Sequence, residues 1–274
     1  MNVRTFENVP SGFYGVLQQS KIDTPLDEAI EQVRALGYAV IDVEYTEEER
    51  KHIANAFDIV REGYIRHHGA ALLREIDEYN NIRLLVSHGG GIFLRLATNP
   101  MLLRAVQQLI AGKFVLNQQN GVVNPPKERY NQGAWHRDLP YQHFVSSTPL
   151  AVNALYCIDD FTRENGATFV LPASHKLAAL ASPEYIRKNA VQIEARAGQI
   201  ILLDAMVFHS GGFNGSDHER RAINHVFNIP YFKQQIRIPG NLDVAGLSPF
   251  ELEILGFKFQ EPASVADFLA ERKR

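Results

Sequence analysis

The sequence predicts a mainly β fold with flanking helices: a double-stranded β-helix (jelly-roll) core with N-terminal helices packed on one of its sheets. Three observations predict it. Up to about residue 112 the apolar residues recur at helical spacing between clear start and stop signals. From Lys113 onward, short apolar runs at 114–123, 150–158, 167–171, 191–195, 199–203 and 221–229 alternate with turn residues. That is the rhythm of antiparallel strands closing into a barrel or double sheet. After about 230, helical spacing returns. Neither repeats nor linker-like tracts interrupt the chain, and 274 residues of this kind are most economically one domain. The expected division is a helical part over about 1–112, a β core over about 113–230 and a helical tail over about 231–274.

In order, residues up to about Asp23 read as irregular, with Pro10, Gly12 and Gly15. Thr24 then caps a helix, with Pro25 in its first turn, Asp27 three residues after the cap and Gly37 as terminator. Leu26, Ile30, Val33 and Leu36 form its buried stripe. Residues 38–43 read as a short strand. Thr46 with Glu49 forms a capping box opening a second helix, whose Ile53, Phe57, Val60 and Tyr64 share one face. His67 and His68 are expected in a polar loop, pointing apart and holding no metal. Gly89-Gly90-Gly91 lacks the Gly-Lys-Ser/Thr that a phosphate loop needs, and reads as a turn. Asn99-Pro100 opens a third helix with Leu103, Val106 and Leu109, ending at Gly112. In the tail, Ser248-Pro249 and Ser264 precede helical pieces at 250–255 and 265–269.

Composition narrows the function classes. Hydrophobic content of 45% and charged content of 22% are ordinary for a soluble globular chain. A net charge of −3 argues against a general nucleic-acid binder. Cys157 is the only cysteine, so an intramolecular disulfide is impossible, which suits a reducing compartment. Residues 1–17 lack the pattern of a signal peptide, and no apolar run is long enough to span a bilayer. The expected setting is cytoplasmic, with neither nucleic acid nor membrane as partner.

The chemistry centres on Trp135-His136-Arg137-Asp138 and on Phe208-His209-Ser210. Alternate residues of a strand share a face, so His136 and Asp138 can aim at one point. A second strand bringing His209 there would set two imidazoles and a carboxylate around a metal with its opposite face open, as in non-haem Fe(II) oxygenases. Arg220 follows His209 by eleven positions and could pair bidentately with the far carboxylate of a keto-acid. Arg221 competes, pointing the other way on a strand. The same donors also suit Zn²⁺, giving a zinc-dependent hydrolase or lyase that leaves Arg220 without a task. A non-catalytic jelly-roll binding module is the third reading.

Around these ligands the sequence resembles the phytanoyl-CoA dioxygenase family of Fe(II)/2-oxoglutarate-dependent oxygenases, over most of the chain. The resemblance rests on Trp135-His136-Arg137-Asp138 and on Glu164-Asn165-Gly166-Ala167 leading to Leu171-Pro172-Ala173-Ser174-His175-Lys176. It continues through Ala197-Gly198 before Leu203-Asp204, and His209-Ser210-Gly211 through Asn214 to Arg220-Arg221-Ala222-Ile223. Ala173 departs from the family's usual Gly. The resemblance implies Fe(II) held by His136, Asp138 and His209, and 2-oxoglutarate as cosubstrate held by Arg220, with Gln119 and Asn153 as further cosubstrate contacts. It implies hydroxylation with O2, releasing succinate and CO2; the expected substrate, which the resemblance does not specify, is a small polar or anionic metabolite. The carboxylate at Asp138 speaks against halogenation. His175 reads as structural, His225 as a satisfied barrel histidine and His218 as solvent-facing; His143, seven after His136, is placed to touch substrate. Arg129, Tyr130 and Gln132 are expected at the barrel mouth, and Lys127, Arg129 and Arg137 together would favour an anion.

Overall fold

The computed structural model describes residues 9–140 and 144–273. The helical part holds α1 (Pro25–Leu36), β1 (Tyr38–Asp42), α2 (Glu47–His68), α3 (Ala70–Glu75), β2 (Asn81–Ile82), α4 (Ile92–Ala97) and α5 (Pro100–Leu109). The core follows as β3 (Val115–Asn124), β4 (Ala151–Cys157), β5 (Phe169–Val170), α6 (Pro183–Asn189), β6 (Val191–Gln192), β7 (Gln199–Asp204), β8 (His209–Ser210) and β9 (Arg220–Asn228). The tail carries α7 (Pro249–Ile254) and α8 (Val265–Glu271).

The helix starts form as their sequences dictate. Thr24 and Thr46 each accept from the backbone N–H three residues on, while Asp27 and Glu49 reach back to the cap. The Asn99 carboxamide accepts from Met101 and Leu102, satisfying two otherwise orphaned N–H groups of α5. His67 and His68 are not in a loop but in the last turn of α2, which Gly69 ends. Gly37 closes α1 at φ 88°, and a Cβ there would lie 2.7 Å from both His175 Nδ1 and Val207 Cγ2. Only glycine fits that crossing of chains.

The strands form a six-stranded antiparallel sheet in the order β1-β7-β4-β9-β3-β2, and a three-stranded sheet in the order β6-β5-β8. Alternation along the large sheet produces two buried faces. Ala154, Tyr156, Ile200, Leu202, Ile223 and Phe227 pack with Ile30, Val33, Phe57, Phe93 and Val106 of the helices, forming the main core. Burying each of the large side chains stabilises by about 1.5–3 kcal/mol. Gly121 leaves room on this face: a Cβ would meet the Phe57 ring at 2.7 Å. On the opposite face Cys157, Ile201, Leu203 and Ala222 pack against Val170 and Ile193 from the small-sheet side. The helices thus cover one face of one sheet, as expected, and the space between the two sheets is left for a site. Strands β5, β6 and β8 are only two residues long, so the small sheet frames that space without filling it. Among the described residues no helix is long and apolar enough to cross a membrane.

Candidate active site

His136 and His209 meet as an antiparallel bridge beside β8. His136 N–H donates to the His209 carbonyl at 2.9 Å and His209 N–H to the His136 carbonyl at 3.1 Å. Directly opposed residues share a face, and the ring centroids stand 4.3 Å apart. Two residues on, Asp138 N–H donates to the Ala205 carbonyl at 3.0 Å, bringing the carboxylate to 3.8 Å from His209 Nε2. The backbone pairing alone therefore gathers the three side chains.

Their polar partners fix which atoms are free. His136 Nδ1 lies 2.7 Å from the Ala134 carbonyl and His209 Nδ1 lies 3.0 Å from that of Val207. A carbonyl only accepts, so each Nδ1 carries the proton and each Nε2 offers a lone pair. Burial pushes the His209 pKa below its ordinary value, against the pull of the Asp138 carboxylate, keeping the ring neutral. Asn153 Nδ2 donates to Asp138 Oδ2 at 2.8 Å, leaving Oδ1 toward the histidines. One ligand atom from each residue lies within 4.8 Å of the others. Two imidazole nitrogens and one oriented carboxylate are a donor set that fits a divalent transition metal.

Arg220 stands across a cavity of about 50 Å³ that His136, His209, Asn153 and Asn224 also line. Its guanidinium lies 3.8 Å over the Phe161 ring, and the Tyr130 phenol lines the same cavity. Burial lowers the Arg220 pKa and raises that of Tyr130. Arg220 is 4% exposed, its Nε has no partner, and it forms no ion pair among the described residues. A buried cation without a counter-charge costs several kcal/mol, so this end of the cavity is shaped for an anion. Arg221 is the opposite case. It faces away, paired with Asp159 at 2.7 Å and Asp58 at 2.6 Å, which raise its pKa.

Glycines hold this end open. A Cβ on Gly211 would lie 2.1 Å from the Tyr130 hydroxyl, and one on Gly166, at φ 75°, would lie 2.3 Å from the Gly212 carbonyl. Asn124 Nδ2 ties these loops by donating to the Gly166 and Gly212 carbonyls at 3.3 and 2.9 Å.

The structure brings His136, Asp138, His209, Asn153 and Arg220 together, but not Gln119. That residue is opposite His225 on the helix-covered face, where its amide nitrogen donates to the Phe93 carbonyl at 2.7 Å and faces His225 Nε2 at 2.9 Å. Its amide nitrogen joins α4 to the sheet. Arg137 is likewise corrected: it is a buried clamp whose guanidinium is engaged within the fold. Its guanidinium donates to the carbonyls of Met206, Ala178, Ser174 and Leu177 and lies 3.9 Å over the Phe208 ring. Lys127 pairs with Asp217, and Arg129 is exposed. His225 is buried and donates through Nδ1 to the Ala154 carbonyl at 3.0 Å; burial pushes its pKa down to about 4. His175 is buried against the Arg34 carbonyl and His218 is exposed, both away from the cavity, while His143 lies outside the described residues. Tyr130 and Asn224 are cavity residues whose roles the sequence reading missed. Counting by twos from Arg220 along β9 would have reached Asn224.

The sequence model of the family described as phytanoyl-CoA dioxygenase (PhyH) matches residues 26–222. The uncharacterized protein Rv1501 of Mycobacterium tuberculosis is 31% identical over 219 residues, covering 78% of this chain and 79% of its own. The iron/alpha-ketoglutarate-dependent dioxygenase ausO of Aspergillus calidoustus is 28% identical over 52% of this chain and 50% of its own. Among solved structures, the epimerase SnoN in complex with Fe3+, alpha ketoglutarate and nogalamycin RO superposes with a TM-score of 0.57. It is 20% identical, over 82% of this chain and 92% of its own, and at that identity the likeness concerns the fold.

Proposed function

The chain belongs to the phytanoyl-CoA dioxygenase family, and we propose from that premise that it is an Fe(II)- and 2-oxoglutarate-dependent dioxygenase acting on a small polar or anionic metabolite. The observation that carries the reading is the pairing, across one cavity, of two histidines and a carboxylate with a buried arginine that forms no ion pair among the described residues. A zinc hydrolase would use the first and leave the second idle.

In this reading His136, Asp138 and His209 hold the iron through Nε2, a carboxylate oxygen and Nε2. When bound, iron supplies the activation of O2 that couples decarboxylation of 2-oxoglutarate, giving succinate and CO2, to hydroxylation of the substrate. The protein's part is placement. Arg220 and the Tyr130 phenol receive the far carboxylate of the keto-acid, and Phe161 beneath the guanidinium keeps water from competing for it. Asn153 holds Asp138 in orientation, and the Ala134 and Val207 carbonyls hold the imidazole tautomers. The apolar packing between the sheets excludes bulk water.

Anaerobic equilibrium dialysis tests the binding half of the proposal. Labelled 2-oxoglutarate should be retained at one per chain with Fe(II), and at least tenfold more weakly without metal. Retention that ignores both metal and Arg220 would contradict it.

A further inference from the structure

The face of the large sheet beneath the metal ligands carries a cluster of carboxamides that the chemistry above leaves mostly unused. The register places Gln118 and Asn153 on either side of Val226, Asn120 opposite Asn224, and Asn228 opposite Ala151. Opposed residues of antiparallel strands share a face. Val226 packs with Ala151, Ala205 and Leu139, the residue after Asp138, so this face is the one toward the metal ligands. Gln118, Asn120, Asn224 and Asn228 therefore surround Val226, with Asn153 beside it.

Asn120 is satisfied: it accepts from Leu84 N–H at 3.3 Å and donates to Gln235 Oε1 at 2.9 Å. The others are not. Both side-chain atoms of Asn228, which is 1% exposed, and the Oδ1 atoms of Asn224 and Asn153 are buried without partners. Such groups are rare in folded chains unless something outside the chain completes them. Arg220 and Asn228 stand at opposite ends of β9, with Val226 and its neighbour Asn153, which holds Asp138, between them. The keto-acid takes the Arg220 end, which leaves the Asn228 end of the face for the second reactant.

A carboxamide is neutral, and it both donates and accepts. Its complement is a group with the same two properties, a hydroxyl or an amide. An acyl chain would call for an apolar wall, and a phosphate or carboxylate for cations. On this face of β3, β4 and β9 Arg220 is the only charged residue. We infer that the primary substrate is a neutral polyhydroxylated molecule of the glycoside or polyol class, held through its hydroxyls by Gln118, Asn224 and Asn228. This rests on the dioxygenase reading above and narrows its substrate.

The test measures succinate released by the Fe(II)-loaded enzyme with 2-oxoglutarate in air. The probes are methyl β-D-glucoside and trehalose as neutral polyols, glucose 6-phosphate as an anionic counterpart, and palmitoyl-CoA. A neutral polyol should stimulate release at least tenfold over the probe-free rate and exceed the phosphate. Gln118→Leu and Asn228→Leu should each cut that stimulation by about tenfold or more. Asn228→Asp keeps the shape but only accepts, and should cut it at least threefold even if the leucine variant fails to fold. Stimulation led by glucose 6-phosphate or palmitoyl-CoA, or by none of the four, overturns the inference. In that case probe-free succinate release that still needs Fe(II) leaves the dioxygenase reading standing; loss of that release as well overturns both.

Discussion

His136 and His209 exchange both of their backbone hydrogen bonds, and each points its Nδ1 at a carbonyl two residues earlier in its own chain segment. The pairing sets the rings on one face, and the carbonyls turn both Nε2 atoms toward Asp138. His136→Ala or His209→Ala should therefore lower Fe(II) affinity at least tenfold and abolish activity. His175→Ala, away from the cavity, should retain full iron stoichiometry. Metal analysis after anaerobic loading checks this, and equal iron loss in His175→Ala would move the site elsewhere.

Arg220 and Arg221 are neighbours with opposite tasks. Removing a charge-assisted pair costs about 1.5–3 kcal/mol, or roughly 10- to 150-fold in affinity. Arg220→Ala should weaken 2-oxoglutarate binding by that factor, read by calorimetry. Arg221→Ala should leave the affinity near wild type and lower thermal stability instead, because Asp58 and Asp159 lose their partner. The reverse ranking would transfer the role to Arg221.

Ala173 occupies a left-handed conformation, φ 61°, that the turn imposes and glycine would adopt freely. Its N–H donates to the Leu36 carbonyl at 2.7 Å and its own carbonyl accepts from Lys176 at 3.1 Å, so it cannot relax. The strain is roughly 1–2 kcal/mol, and glycine's extra unfolded-state entropy returns about 0.5–1. Ala173→Gly should stabilise by about 0.5–1 kcal/mol, raising Tm by about 2 °C. A lower Tm would show that the alanine methyl packs usefully.

His225 is buried neutral, with its pKa pushed down to about 4 from the ordinary 6.5. The unfolded chain binds this proton more readily, so its contribution to stability is complete above pH 6.5 and falls as pH drops toward 4. The full loss is about 3 kcal/mol. Urea unfolding from pH 7 to 4.5 should show declining stability, with a flatter slope in His225→Gln. Identical slopes would mean that another group, such as His209 or His175, carries the effect.

Much of this was legible in the chain, for local reasons. Caps at Thr24, Thr46 and Asn99 are read from neighbours a few residues away, and His136, Asp138, His209 and Arg220 are residue types whose chemistry is hard to use otherwise. Gln119 was not legible. Counting by twos from the apolar Phe114 and Leu116 puts Gln119 on the cavity side, but the register shift between Leu116 and Gln118 reverses the faces. The Arg137 clamp depends on carbonyls some forty residues away or more, which no local pattern announces. His67 and His68 look polar enough for a loop, yet the helix runs on until Gly69 stops it.

The most direct test of the central claim is turnover of 2-oxoglutarate under ¹⁸O-labelled dioxygen, with mass spectrometry of the succinate. With Fe(II), each succinate should carry one oxygen atom from O2, Arg220→Ala should need at least tenfold more 2-oxoglutarate to reach the same rate, and Zn²⁺ in place of iron should give none. Turnover of any substrate with Zn²⁺ under anaerobic conditions, without consumption of 2-oxoglutarate, would contradict the account and favour the hydrolase.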